Sequence, residues 1–156
     1  MSFLDRFRKQ RPRIEDPVFG ALTYEPPWWR GKVQFRPCAS EVAIDIEADA
    51  QGPIEPQRSR YRELDERYQG LLPLIGAALW DLYRPVRAEL EGDREAHLGP
   101  SGASEMTERT ALFGIDIRRD GTIELGYSFI PDVGWDDAMF NVAIEGWTPR
   151  AISLDD

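Results

Sequence analysis

One cysteine, one histidine and three methionines stand among 156 residues. Cys38 excludes an internal disulfide by being alone, and with His97 it cannot assemble the four nitrogen and sulfur ligands of a structural zinc site. Long apolar runs are also missing. No stretch approaches the roughly 20 residues needed to cross a bilayer, so no transmembrane segment is expected. The opening Met1-Ser2-Phe3-Leu4-Asp5-Arg6 lacks the uninterrupted apolar core of a signal peptide. A reducing, cytoplasmic location is the expectation that follows. The chain also has no phosphate-binding loop, no Gly-x-Gly-x-x-Gly, no nucleophile elbow and no His-Glu-x-x-His. No catalytic residue, metal ligand or cofactor is assigned. Cys38 follows Pro37 with no activating neighbour in sequence and reads as structural or incidental, and His97 reads as a surface residue.

What is present is the profile of one globular domain, with 42% hydrophobic and 30% charged residues. The net charge of −9 is unevenly placed. Residues 1–13 carry Arg6, Arg8, Lys9, Arg11 and Arg13 against Asp5 alone, a local +4, and the remainder holds 14 basic and 27 acidic groups, a balance of −13. A body so charged repels phosphate backbones, so nucleic acid is not an expected partner and a basic protein is. Residues 1–15 read as a basic N-terminal segment whose Phe3, Leu4 and Phe7 could touch an anionic membrane surface or a partner, or dock on the domain. Residues 16–156 read as a single domain.

Alternating apolar residues predict two strands around Val18–Tyr24 and Val33–Phe35, joined by the loop Pro26-Pro27-Trp28-Trp29-Arg30-Gly31. Glu41 to Asp49 predicts a third, with Val42, Ile44 and Ile46 facing the core and Glu41, Asp45 and Glu47 facing water. After Gly52-Pro53, apolar residues recur at helical spacing from Tyr61 through Leu64, Tyr68, Leu71, Ile75 and Leu79 to Leu82, Val86 and Leu90. Gly70, Pro73 and Pro85 interrupt that stripe. The expectation is a helix over about 56–69 and a second from Leu72 that kinks or ends near Pro85. Residues 91–110 read as a long mobile loop.

Beyond it, Phe113, Ile115 and Ile117 precede Arg119-Asp120-Gly121, and Ile123, Leu125, Tyr127 and Phe129 follow. A two-residue turn would set Ile117 opposite Glu124 and split the apolar residues between faces. A three-residue loop pairs Ile117 with Ile123, Ile115 with Leu125 and Phe113 with Tyr127, and requires Gly121 in the left-handed region. Phe140–Ile144 and a short stretch at Ile152–Leu154 predict the last strands. The fold class expected is α+β: a mainly antiparallel sheet of six to seven strands, with one kinked or two consecutive helices on one face, in the order βββ-α(α)-βββ(β).

Two groups of residues are candidates for binding. Asp132, Trp135, Asp136 and Asp137 lie between two predicted strands, where three carboxylates could hold a divalent cation, act as an acid/base pair, or simply form a turn. Trp28 and Trp29 are adjacent, so on a strand they point to opposite faces, one entering the core and the other left outside as an anchor.

The run Asp16-Pro17-Val18-Phe19-Gly20-Ala21-Leu22, followed by Trp29-x-Gly31 and by Trp135-Asp136 before a late strand, resembles small bacterial α+β domains of unknown function. The resemblance spans about residues 16–154 and implies the strand, helix, strand layout without implying an activity. The Glu-His-Gly that tends to follow Trp-Asp in those domains is replaced here by Asp137-Ala138-Met139, so no histidine role is carried over.

Poverty in catalytic residue types, an acidic body and the paired tryptophans make the expected function that of a non-catalytic protein-binding module, of the immunity or antitoxin kind, directed at a basic partner. The alternative is a small hydrolase-type enzyme using Asp132, Asp136 and Asp137 with a divalent cation.

Overall fold

The computed structural model describes residues 11–89, 99–131 and 138–155. The amphipathic stretch at Phe3–Phe7, His97 and the cluster Asp132, Trp135, Asp136 and Asp137 lie outside those residues. One sheet of eight strands runs in sequence order: β1 (Arg13–Asp16), β2 (Gly20–Glu25), β3 (Trp28–Phe35), β4 (Ser40–Glu47), β5 (Thr110–Ile117), β6 (Ile123–Phe129), β7 (Met139–Glu145) and β8 (Thr148–Asp155). Between β4 and β5 lie α1 (Glu55–Glu89) and α2 (Ala103–Arg109). The architecture is α+β, but the sheet is mixed and has eight strands rather than six or seven. The order is ββββ-αα-ββββ.

Every neighbouring pair is antiparallel except β4 and β5, which run parallel from Ala43 opposite Gly114 to Ile46 opposite Ile117. Parallel neighbours need a long crossover, and the two helices supply it. The additional first strand, β1, straddles the expected boundary between the N-terminal segment 1–15 and the domain. It is held by Asp16, whose Oδ1 accepts the backbone N–H groups of Val18 (2.9 Å) and Phe19 (3.1 Å) and so turns the chain into β2. Trp28–Gly31, expected in a loop, begins β3 instead. The connection shrinks to Pro26-Pro27, with a cis peptide between them.

The apolar stripe works as one unbroken helix. Tyr61, Leu64, Tyr68, Leu71, Ile75, Leu79 and Tyr83 are buried along α1, so Tyr83 rather than Leu82 continues the inward face. Pro73 does not end the helix, contrary to the expectation of two. The proline and the neighbouring Gly70 are on the exposed side, where the carbonyl that loses its bond is open to solvent, while the stripe on the opposite side keeps both halves on the sheet. The helix start is tied to the sheet by Gln57, fully buried. Its amide donates to the Glu47 (2.9 Å) and Arg118 (3.3 Å) carbonyls, just past the carboxyl ends of the β4–β5 pair, and its oxygen accepts the Ile54 N–H at 3.1 Å.

The expected mobile loop contains α2. Glu105 in the first turn accepts from both the backbone N–H (3.0 Å) and the hydroxyl (2.6 Å) of Ser101, the residue before the N-cap Gly102, which ties the incoming chain to the helix start, and Met106 inserts into the core with no exposed surface. Helix α2 lies so close to α1 that a Cβ on Gly76 would sit 2.5 Å from the Ala103 carbonyl oxygen.

The β5–β6 hairpin has the expected three-residue loop. Ile117 faces Ile123, Ile115 faces Leu125, and Gly121 has φ +87°. One pair differs: Leu112, not Phe113, faces Tyr127, because a bulge between Leu112 and Gly114 turns Phe113 outward onto Gly126. The β7–β8 turn at Gly146-Trp147, with φ values of +53° and +64°, is anchored by Arg60 of α1, whose guanidinium lies 3.8 Å from the Trp147 ring centre.

Candidate functional site

Both helices cover the inner face of the sheet, which leaves the outer face as the broad surface on which the sequence candidates can be placed. Trp28 and Trp29 do point to opposite faces. Trp29 is fully buried, stacks on Tyr24 with ring centres 4.7 Å apart, and donates its indole N–H to the Asp49 carbonyl at 2.8 Å. It is a core residue, and its expected role in binding is withdrawn because no partner can reach it. Trp28 is half-buried on the outer face with the Arg118 guanidinium 4.9 Å from its ring centre.

The row Glu41, Asp45 and Glu47 faces outward as its alternation requires, yet it is not a bare acidic strip. Lys32 reaches Glu41 at 3.2 Å, Arg30 reaches Asp45 at 3.4 Å, and Glu47 accepts the Arg119 N–H at 3.3 Å. Both cations come from the neighbouring strand β3 and the third contact is a backbone amide of the β5–β6 loop, so two of the three carboxylates are ion-paired and the third is hydrogen-bonded.

Sequence reasoning missed the carboxylates that the parallel pairing adds. Asp116 on β5 sits opposite Asp45 on β4 and opposite Glu124 on β6. Glu124 accepts from Arg118 Nε at 3.1 Å and Nη2 at 2.9 Å. Among the described residues no cation lies within ion-pair distance of Asp116. Burial, and then the charges of Asp45 and Glu124, push its carboxyl up to about 6, against the opposing pull of Arg118 and Arg30. Burial also raises Asp45, with Arg30 pulling the other way. No alternation pattern reveals this triad, because it requires knowing that β4 and β5 are neighbours and in what register.

A separate concavity of about 420 Å³ lies where α1 meets β3 and the β1–β2 turn, with Lys32, Arg36 and Arg62 among its lining residues. Each of these cations is already ion-paired, to Glu41, Asp65 and Glu55 respectively. An anionic ligand would have to displace a carboxylate to use them.

No family model, curated protein or solved structure matches the chain. Function is therefore argued from the surfaces themselves. Among the described residues no group of three or more His, Cys, Asp or Glu could hold a metal ion, and no helix is long and apolar enough to cross a membrane.

Asp116 makes a stability prediction with a definite sign. Its folded pKa of about 6 lies above the ordinary carboxyl value of 3.8, so folding favours the protonated form between those pH values. The ionised group costs stability above pH 6, and that cost disappears as the pH falls towards 4. Asp116→Asn is expected to raise the unfolding free energy at pH 7.5 by about 1–2 kcal/mol, the full two-unit shift being reduced by solvent screening at this partly exposed position. Urea denaturation at pH 7.5 and at pH 4 checks this, the gain being absent at the lower pH.

Proposed function

We propose that the chain is a non-catalytic protein-binding module whose outer sheet face receives a basic protein. The observation that carries this reading is that no element among the described residues covers the face, which gathers Trp28, Asp45, Asp116 and Glu124 near its centre. Eight strands spaced about 4.8 Å apart, each rising about 3.3 Å per residue over seven residues, present roughly 800 Å², the area one partner contributes to a standard interface. Between β3 and β6 the carboxylates Glu41, Asp45, Glu47, Asp116 and Glu124 outnumber the cations Arg30, Lys32 and Arg118, in keeping with the excess acid of the chain. A lysine or arginine from a partner would meet Asp116, which has no cation of its own among the described residues, and Trp28 would supply the aromatic anchor that concentrates binding energy. On this reading the chain acts as an immunity- or antitoxin-type protein that covers a basic target.

The test uses matched baits from the source organism: the wild-type chain, Trp28→Ala and Asp45→Lys. The expected result is one basic protein retained by the wild type, with affinity that weakens as salt rises and as the pH falls through 6, since pairing Asp116 requires its ionised form. Trp28→Ala should cost about 2 kcal/mol, near 30-fold in Kd. Retention of no protein, or of one indifferent to both substitutions, overturns the proposal.

A further inference from the structure

Gln57 closes the parallel β4–β5 pair at its carboxyl end; the amino end is open. The ladder between the two strands begins only at Ala43 and Gly114. Before that point Ser40–Val42 arrives from the 3-10 turn Arg36–Cys38 and Thr110–Phe113 arrives from α2, and the two segments diverge. The wedge between them is a cavity of about 360 Å³, on the inner side of the sheet, backed by Tyr68 and Leu72 of α1 and by Tyr127 of β6. Its size is within the range of small-molecule sites.

The lining contains no charged side chain, although 30% of the chain is charged. Apolar surface comes from residues such as Leu72 and Leu112, and polar groups come from hydroxyls, one amide and the Cys38 thiol. A charged ligand entering here would lose its hydration with no counter-charge to replace it, whereas a neutral one would not.

The polar floor is a pair of phenols, with a thiol elsewhere in the same lining. The Tyr68 and Tyr127 hydroxyls lie 2.9 Å apart and are buried, and Cys38 lines the same cavity. The two hydroxyls carry two protons but share one bond, so one O–H is always left to donate. Burial raises both hydroxyls and the thiol above their ordinary pKa values, which keeps them protonated and hence donors at neutral pH. Acceptors complement them: Thr107 and Thr110 donate their hydroxyl protons to the Ser104 (2.9 Å) and Met106 (2.6 Å) carbonyls, which leaves their oxygen lone pairs for another donor.

We infer that this cavity binds a small uncharged molecule with an apolar body and a hydroxyl or amide group that both donates and accepts. The site lies on the opposite side of the sheet from the protein-binding face, so either assignment can fail without the other.

The probe is benzyl alcohol, compared with benzoate, which adds a charge, and toluene, which lacks the hydroxyl. In ¹⁵N-resolved titrations benzyl alcohol is expected to shift the amide signals of Ser40, Thr107, Thr110 and Leu112 saturably, toluene at least 5-fold more weakly, and benzoate not at all. The double variant Tyr68→Phe/Tyr127→Phe removes both phenol donors and should weaken benzyl alcohol 5- to 10-fold. Thr107→Val, which removes a hydroxyl acceptor from the lining, gives the same direction should the first variant fold poorly. Shifts that never saturate, equal binding of benzoate, or an affinity unchanged in whichever of the two variants folds would overturn the assignment.

Discussion

Replacing Asp16 with alanine is expected to lower the unfolding free energy at pH 7 by about 3–5 kcal/mol, the usual cost of removing one partner from a buried ion pair. The side chain is almost wholly buried, at 1% exposure. Its Oδ2 accepts from Arg58 Nε (3.0 Å) and Nη2 (2.8 Å), and its Oδ1 accepts the two backbone N–H groups that form the turn into β2. Truncation leaves the two amide donors unpaired and Arg58 with only Glu55, at 3.5 Å, and it frees the turn that places Phe19 against Tyr61, ring centres 5.3 Å apart. Burial alone would raise this carboxyl, but Arg58 and the two N–H groups outweigh it and hold it below its ordinary value. A depressed folded pKa contributes stability above the unfolded value near 4 and loses it as pH falls through the folded one. Urea denaturation should therefore show a deficit in Asp16→Ala that shrinks in acid, and Arg58→Met added to the variant should recover part of it. A deficit under 1 kcal/mol at pH 7 would mean that the pair does not organise the edge of the sheet.

Gly76→Val is expected to cost about 3 kcal/mol, at the upper end of overpacking penalties. The nearest atom to a Cβ there is a backbone carbonyl oxygen at 2.5 Å, which cannot rotate away as a side chain would, and Thr107 Cγ2 follows at 3.0 Å. Relief requires α2 to move off α1, exposing Met106. Because Thr107 of α2 and Thr110 just beyond it line the neutral cavity, the same variant should also weaken benzyl alcohol binding. Thermal unfolding measures the first effect, and faster hydrogen exchange confined to α2 would locate it. Wild-type stability in Gly76→Val would refute the close helix contact.

The two aspartates that meet at the centre of the outer face, Asp45 and Asp116, show where sequence reading stops. Each was individually legible as the polar member of an alternating strand. Their pairing was not, because β4 and β5 are joined through two helices and nothing in either strand names its parallel neighbour or the register between them. Cys38, Tyr68 and Tyr127 are a parallel case: an unremarkable thiol, one residue of a helical stripe and one of a strand come to line a single cavity, with the two hydroxyls bonded, only in three dimensions.

What consecutive residues determine by themselves is which side of an element is apolar. That was enough for the opposite fates of Trp28 and Trp29, for the helical stripe from Tyr61 to Leu79, and for the loop length at Gly121, since a one-residue slip would turn Ile123 and Leu125 to water. Tertiary structure decided the rest. It carried α1 through Pro73 because burial along the other side outweighs one lost hydrogen bond, and it turned Phe113 outward by a bulge that no period-2 pattern contains. It also drew α2 from a stretch with little periodicity, since one methionine reaching the core across a glycine suffices to hold a two-turn helix. Local periodicity is a property of neighbours in the chain, whereas pairing, register and cavities depend on groups that only the finished fold brings within reach.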